Sequence, residues 1–231
     1  MSAEKKVVAI TGAAGGLGPT VVRAFREAGA AVALAGRSRD RLVELLDTLR
    51  VPSEDRLASG VDLAEPQTAD AWASQVQKKF GNVSAVVHLV GGYTAGTTMG
   101  ELKLEDWDSV QRMLVRTTLC VVRAFAGPLR ESRGRFIAVT SPKAHAPTAR
   151  SALYAAAKAA SDALVLALAD ELRGSGATAN LIVVDSIGAP QAGKYGKATP
   201  PEEIAAAMLY LCSDAAATIN GARIPLTGRD A

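Results

Sequence analysis

The sequence predicts an α/β fold: a doubly wound parallel sheet of about seven strands with helices on both faces. Short β-branched runs alternate with longer helical patterns along the chain, which is the rhythm of βαβ units. The composition is 48% hydrophobic but only 4% aromatic, so small side chains can bring helices close to a sheet buried on both faces. Gly and Pro mark the joints, as at Gly29, Gly81, Gly134 and Thr199-Pro200-Pro201, and no longer linker separates two halves. With 231 residues, one domain over 1–231 is expected.

Lys6 to Ile10 reads as the first strand, and the helical pattern Gly16 to Ala28 follows its glycine-rich turn. Ala31 to Ala35 is the next apolar run, followed by a helix over Asp40 to Leu49. Arg56 to Val61 leads into Pro66 to Phe80, where Pro suits a first helical turn. Ala85 to Val90 precedes a long helical pattern over Leu104 to Leu129, and Arg135 to Thr140 precedes Ser151 to Leu172. Thr178 to Val184, the helix Pro201 to Cys212 and the strand Arg223 to Leu226 complete the set. Right-handed crossovers then distribute the helices over both faces. Ser186 to Pro200, with Gly188, Pro190, Gly193 and Gly196, reads as a mobile surface loop.

The net charge of +3 comes from basic residues spread along the chain, so nucleic acid is not an expected partner. Cys120 and Cys212 lie in separate apolar stretches without metal-ligand spacing; both read as buried, reduced thiols, and no metal site is expected. Met1-Ser2-Ala3-Glu4 carries no apolar signal region, and no apolar run approaches a membrane span, so a cytoplasmic protein without membrane contact is expected.

The first strand runs into Thr11-Gly12-Ala13-Ala14-Gly15-Gly16-Leu17-Gly18, where a helical pattern opens. A glycine-rich turn between strand and helix lets peptide amides and the positive helix end approach a pyrophosphate, so an adenine dinucleotide site on a Rossmann-type sheet is expected. The second strand ends in Gly36-Arg37-Ser38-Arg39, without the carboxylate that would take ribose hydroxyls of NADH. A guanidinium and a hydroxyl there suit a 2′-phosphate, which favours NADP(H) over NAD(H); alternatively Arg37 and Arg39 only solvate the next helix. Asp62 after the third strand reads either as an adenine contact or as a turn residue.

Tyr154-Ala155-Ala156-Ala157-Lys158 places a phenol and an ammonium on one helical face. The ammonium is expected to pull the phenol pKa down and suit Tyr154 for general acid/base work, although such a pair can also be a surface pair. Ser141 ends the fifth strand, where sheets of this type place ligand groups.

Taken together, these residues resemble the short-chain dehydrogenase/reductase family over nearly the whole chain. The family's T-G-x-x-x-G-x-G motif matches Thr11, Gly12, Gly16 and Gly18, and its Y-x-x-x-K motif matches Tyr154 and Lys158. The resemblance implies an oxidoreductase moving hydride between nicotinamide and a carbonyl or alcohol. In it, Tyr154 exchanges a proton with the reacting oxygen, Ser141 orients that oxygen, and Lys158 tunes Tyr154 and holds the nicotinamide ribose. It also implies cofactor contacts from Gly12, Ala14, Gly15, Gly16, Leu17 and Gly18 in the turn, from Arg37 and Ser38, and from Asp62 and Leu63. Val90, Gly91 and Ile187 complete that set, and Pro201 to Ile204 through Thr227-Gly228 resembles the family's last helix and strand. A homodimer or homotetramer formed through the long helices is likewise implied.

Three departures stand out. Leu89-Val90-Gly91-Gly92 replaces N-N-A-G, losing amides that tie the sheet together behind the cofactor. Leu114 stands where the family has a proton-relaying Asn, and its side chain carries no donor or acceptor, so water near Thr117 or Thr118 is the expected substitute. Ala189 replaces a cofactor-contacting Thr, and the substrate-covering region Ser186 to Pro200 is short. These departures support the alternative of an NADP(H)-binding protein of the same fold with little or no catalysis, a sensor or structural subunit. His88, within a strand, reads as a core histidine, whereas His145 reads as a loop residue or a substrate contact.

Overall fold

The computed structural model describes residues 5–93, 96, 98–188 and 198–226. Seven strands, β1 (Val7–Thr11), β2 (Ala31–Gly36), β3 (Arg56–Gly60), β4 (Ala85–His88), β5 (Arg135–Thr140), β6 (Thr178–Val184) and β9 (Arg223–Leu226), form one sheet. Its order is β3-β2-β1-β4-β5-β6-β9, and every neighbouring pair is parallel. Helices α1 (Gly18–Glu27), α2 (Arg39–Thr48) and α7 (Pro201–Leu211) cover one face. On the other lie α3 (Pro66–Phe80), α5 (Thr117–Ser132) and α6 (Ala152–Glu171), with α4 (Leu104–Gln111) leading into α5.

The period of two along each strand sorts the core. Val7, Ala9, Ala33, Val86 and Phe136 point toward α3, α5 and α6, whereas Val8, Ile10, Leu34, Val87 and Ile137 point toward α1, α2 and α7. Trp72 and Phe125 meet edge to face at 5.1 Å beneath the first group. Each fully buried side chain of this size contributes about 1.5 to 3 kcal/mol relative to exposure. The order reverses between β1 and β4, so the crevice outside their carboxyl ends is where such a sheet places a ligand.

The expected strands and helices are present, with ends shifted by up to two residues at β1, α1 and β4. Leu104 to Leu129 is not one regular helix: a π-helical turn, Arg112–Arg116, separates α4 from α5. The Thr117 hydroxyl donates to the Arg112 carbonyl at 3.2 Å and helps satisfy the widened turn. The Ser186 to Pro200 segment begins and ends in a two-residue parallel ladder, β7 (Ser186–Ile187) with β8 (Ala198–Thr199). Ala189, Pro190, Gly193 and Gly196 lie outside the described residues, as do Met1 to Glu4 and Thr227-Gly228.

Contrary to the expectation from apolar run lengths, α6 is long and apolar enough to cross a bilayer, with a mean hydropathy of 1.5. In the structure it packs against the sheet and α5 through Val165, Leu168 and Ala169, and its face also buries Lys158, Ser161 and Asp162. Cys120 is buried and Cys212 only partly covered; burial pushes the Cys212 thiol up to about 12.

Candidate active site

The turn after β1 is shaped by two glycines. Gly12 adopts φ +68°, and a Cβ there would lie 2.9 Å from the Val90 nitrogen, so any other residue would push β1 away from the end of β4. At Gly18 a Cβ would lie 1.9 Å from the Ala13 carbonyl oxygen. Gly16, by contrast, faces open space. Leu17 caps α1 without a side-chain hydrogen bond, Pro19 supplies no N–H, and the Gly16 and Leu17 amides have no backbone acceptor among the described residues. Uncapped amides at a helix N-terminus suit a diphosphate.

Around the outer edge of this turn the chain gathers basic groups. Ser38 Oγ caps α2 by accepting from the Arg41 N–H at 3.4 Å, and the Arg41 guanidinium donates to the Ala14 carbonyl at 3.0 Å. Arg37 and Arg39 are exposed beside it. Sequence reasoning missed Arg41; its position in the first turn of α2, which directly follows Arg37 and Ser38, was the available signal. Asp62 takes the turn role: Oδ1 accepts from the Ala64 N–H at 3.0 Å, and Oδ2 pairs with Arg112 at 2.6 Å. Leu63 is buried in the core. Ala14, Arg37, Ser38, Asp62 and Leu63 therefore lie outside the cleft itself.

The cleft, about 820 Å³, runs from the turn to the start of α6. Gly12, Gly15, Gly16, Leu17 and Gly18 line one end, and Val90 and Gly91 line the stretch after β4. Ser141, Tyr154, Lys158 and Ile187 line the other. Ser141 is buried at the end of β5, accepts from the Lys143 N–H at 3.3 Å and turns its hydroxyl toward the Tyr154 phenol, favouring the phenolate.

The phenol pKa is raised, not lowered as its spacing from Lys158 had suggested. Burial dominates, Ser141 opposes it, and Tyr93, Asp162 and Asp185 add to the rise. The lowering expected from Lys158 is missing because its ammonium turns down to the Val139 carbonyl at 2.9 Å. Burial lowers that ammonium to about 8, while Asp162 works in the opposite direction.

Three cleft residues had no sequence signal. The Tyr93 ring stands edge to face on Tyr154 at 5.2 Å, the Lys143 ammonium lies over the Tyr93 ring at 5.5 Å, and Lys143 reaches Asp185 at 3.5 Å. His145 does not line the cleft; it turns to Asp162, with Nε2 3.4 Å from Oδ2.

Behind the cleft, His88 supplies the tie that the missing amides would have made. Thr118 donates its hydroxyl hydrogen to the Leu114 carbonyl at 2.7 Å, so it accepts from His88 Nε2–H at 3.1 Å. Nδ1 then accepts from the Thr11 hydroxyl at 2.8 Å. One neutral ring thus joins β1, β4 and α5, and burial, aided by the Lys158 charge, lowers its pKa to about 3. Leu114, inert in its side chain, offers its main-chain carbonyl to both Thr118 and Ser161. Among the described residues no group of three or more His, Cys, Asp or Glu could hold a metal ion.

The family model described as short chain dehydrogenase matches residues 6–198. Meso-2,3-butanediol dehydrogenase of Serratia marcescens is 28% identical over 99% of this chain and 95% of its own. An apo short chain oxidoreductase of Pseudomonas aeruginosa, described as containing an atypical catalytic center, superposes with a TM-score of 0.86 at 25% identity, covering 98% of each chain. At 23% identity, a 3-ketoacyl-(acyl-carrier-protein) reductase of Brucella melitensis solved with NADH shares the fold, with a TM-score of 0.85 over 96% of each chain. Joined to a cleft that links a glycine-rich turn to a Ser141-Tyr154 pair, these matches show that the chain belongs to the short chain dehydrogenase family of oxidoreductases, whose members bind a nicotinamide cofactor.

Proposed function

We propose that the protein is an NADP(H)-dependent oxidoreductase acting on a small carbonyl or alcohol through Ser141, Tyr154 and Lys158. The observation that carries this reading is that Ser141 and Tyr154 face each other in the same cleft as the open Gly16 turn. When bound, the nicotinamide supplies or accepts the hydride. The Gly16 and Leu17 amides would hold the diphosphate, with Gly12, Gly15 and Gly18 permitting its approach. Val90, Gly91 and Ile187 line the path beyond the turn, and Lys158 lies below it.

Ser141 orients the substrate oxygen. Tyr154, whose raised pKa keeps its proton at neutral pH, donates that proton to the oxygen as it gains charge. Lys158, at about 8, is mostly ammonium at neutral pH yet close enough to titration to restore the phenol's proton. This protonation pattern favours carbonyl reduction.

Preference for NADP(H) rests on Arg37, Ser38 and Arg41 around an adenosine end that has Gly36 where NAD(H) would need a carboxylate. Adenine packing at Asp62 and Leu63 belongs to the same proposal. Leu104 and Leu119 are exposed on α4 and α5, which supports a homodimer or homotetramer through these helices. Cofactor fluorescence titration is the test, followed by a carbonyl panel. NADPH is expected to bind at least tenfold tighter than NADH and to be oxidised by at least one carbonyl; tighter NADH binding, or no oxidation across the panel, would contradict the proposal.

A further inference from the structure

Behind Lys158 lies a second, smaller chamber of about 10 Å³, between β4, β5, α5 and α6. Its walls include His88, Leu114, Thr118, Lys158, Ser161 and Asp162. Lys158 lines this chamber and the cleft alike, so its side chain forms part of the partition between them. The chamber is close to the lower limit for one water, and its polar walls supply the partners such a water needs.

Asp162 is its most unusual wall. This carboxylate lies one helical turn beyond Lys158 and is 1% exposed, and its Oδ2 has no conventional hydrogen-bond partner. A buried acceptor left open is costly unless something fills it. His145, nearly half exposed, stands outside Asp162 with Nε2 3.4 Å from Oδ2, and Arg223 Nε lies 3.8 Å away on β9. Thr140 on β5 faces the same carboxylate. The titratable and charged groups around Asp162 are therefore Lys158 on its own helix, His145 after β5 and Arg223 on β9; His88 on β4 faces Lys158.

We propose that the chamber holds one water linking Lys158 to Asp162, and that Asp162 and His145 form the route by which Lys158 regains its proton from solvent. This rests on the proposed carbonyl reduction. There, the phenolic proton of Tyr154 goes to the substrate oxygen as the hydride goes to its carbon. Lys158 reprotonates the phenolate and becomes a neutral amine. The Asp162 carboxylate takes a proton from the His145 imidazolium and hands it to the water, which passes one on to the amine, so Asp162 ends each turnover as the carboxylate it began as. His145 is recharged by solvent, so each turnover consumes one solvent proton and leaves the route as it began.

Asp162 is a positioning and relay residue, and its effect should be separable from the cleft. The Asp162→Asn variant is expected to lower kcat at least tenfold, with unchanged NADPH affinity and an altered pH–rate profile. His145→Ala is expected to lose a similar factor and to recover it with added imidazole, which can enter at so exposed a position. Wild-type kcat and pH profile in Asp162→Asn, or no imidazole rescue, would overturn the route.

Two measurements on the cofactor-free protein keep it testable should the carbonyl panel give no turnover. In a high-resolution structure, the chamber is expected to hold a water within hydrogen-bond reach of Lys158 Nζ and Asp162. By NMR titration, the Lys158 amine is expected near 8 and lower in Asp162→Asn, because the carboxylate holds it up. A dry chamber, or a Lys158 midpoint indifferent to Asp162, would sink the inference whatever the fate of the proposed function.

Discussion

Acid should unfold this protein partly through one buried ring. His88 is neutral in the native state because both nitrogens are committed: Nε2–H to Thr118, Nδ1 to the Thr11 hydroxyl. Protonation would face Nδ1–H with a hydroxyl that must turn round, in a site already near the Lys158 charge, and its pKa falls to about 3 from an ordinary 6.5. The sign follows. Between those values the unfolded chain binds a proton that the native chain refuses, so the stability contributed by His88 is full above 6.5 and is lost as pH falls toward 3. At pH 4.5, about two units below the unfolded value, the loss is about 3 kcal/mol. Urea denaturation at pH 7 and pH 4.5, on wild type and His88→Asn, isolates it, because each protein serves as its own reference and the variant's packing loss cancels. The wild type should lose about 3 kcal/mol more than the variant over this interval. Equal losses, or a His88 ring resonance that titrates near 6, would refute the tautomer and the network built on it.

Three other substitutions divide binding from stability. Arg41→Ala should weaken NADPH by about 5- to 30-fold, the worth of one exposed charge-assisted bond to phosphate, and leave NADH unchanged in the same titration. Gly18→Ala, whose Cβ would strike the Ala13 carbonyl, should cost about 2 to 4 kcal/mol in urea denaturation. Gly16→Ala meets no atom within 4 Å, so it should cost less than about 1 kcal/mol of stability while weakening cofactor binding, read by calorimetry.

The sheet was legible because a parallel strand buried on both faces is mostly apolar along its length, as Ala31–Gly36 and residues 181–184 of β6 are. Gly12 and Gly18 were legible for a related reason: backbone geometry leaves no alternative to glycine there. Contacts across long sequence separation were not. The π turn depends on hydroxyls from Thr117 and Ser161, and Asp62 meets Arg112 fifty residues away. The Tyr154–Lys158 spacing placed both side chains on one helical face but did not reveal the Val139 carbonyl that draws the ammonium down, so the direction of the phenol's pKa was misread. Tyr93, Lys143 and Asp185 come from the segments after β4, β5 and β6, and only the sheet order brings those loops to one cleft.

On the proposed function, the Tyr154 phenol gives its proton to a substrate oxygen in a cleft whose far end would hold the cofactor. Single-turnover oxidation of bound NADPH by an active carbonyl, followed by absorbance in wild type and Tyr154→Phe at matched cofactor saturation, tests it most directly. The variant should bind NADPH within about twofold of wild type and react at least ~100-fold more slowly, the usual contribution of a positioned acid. Equal single-turnover rates in the two proteins would rule out the phenol as the proton donor.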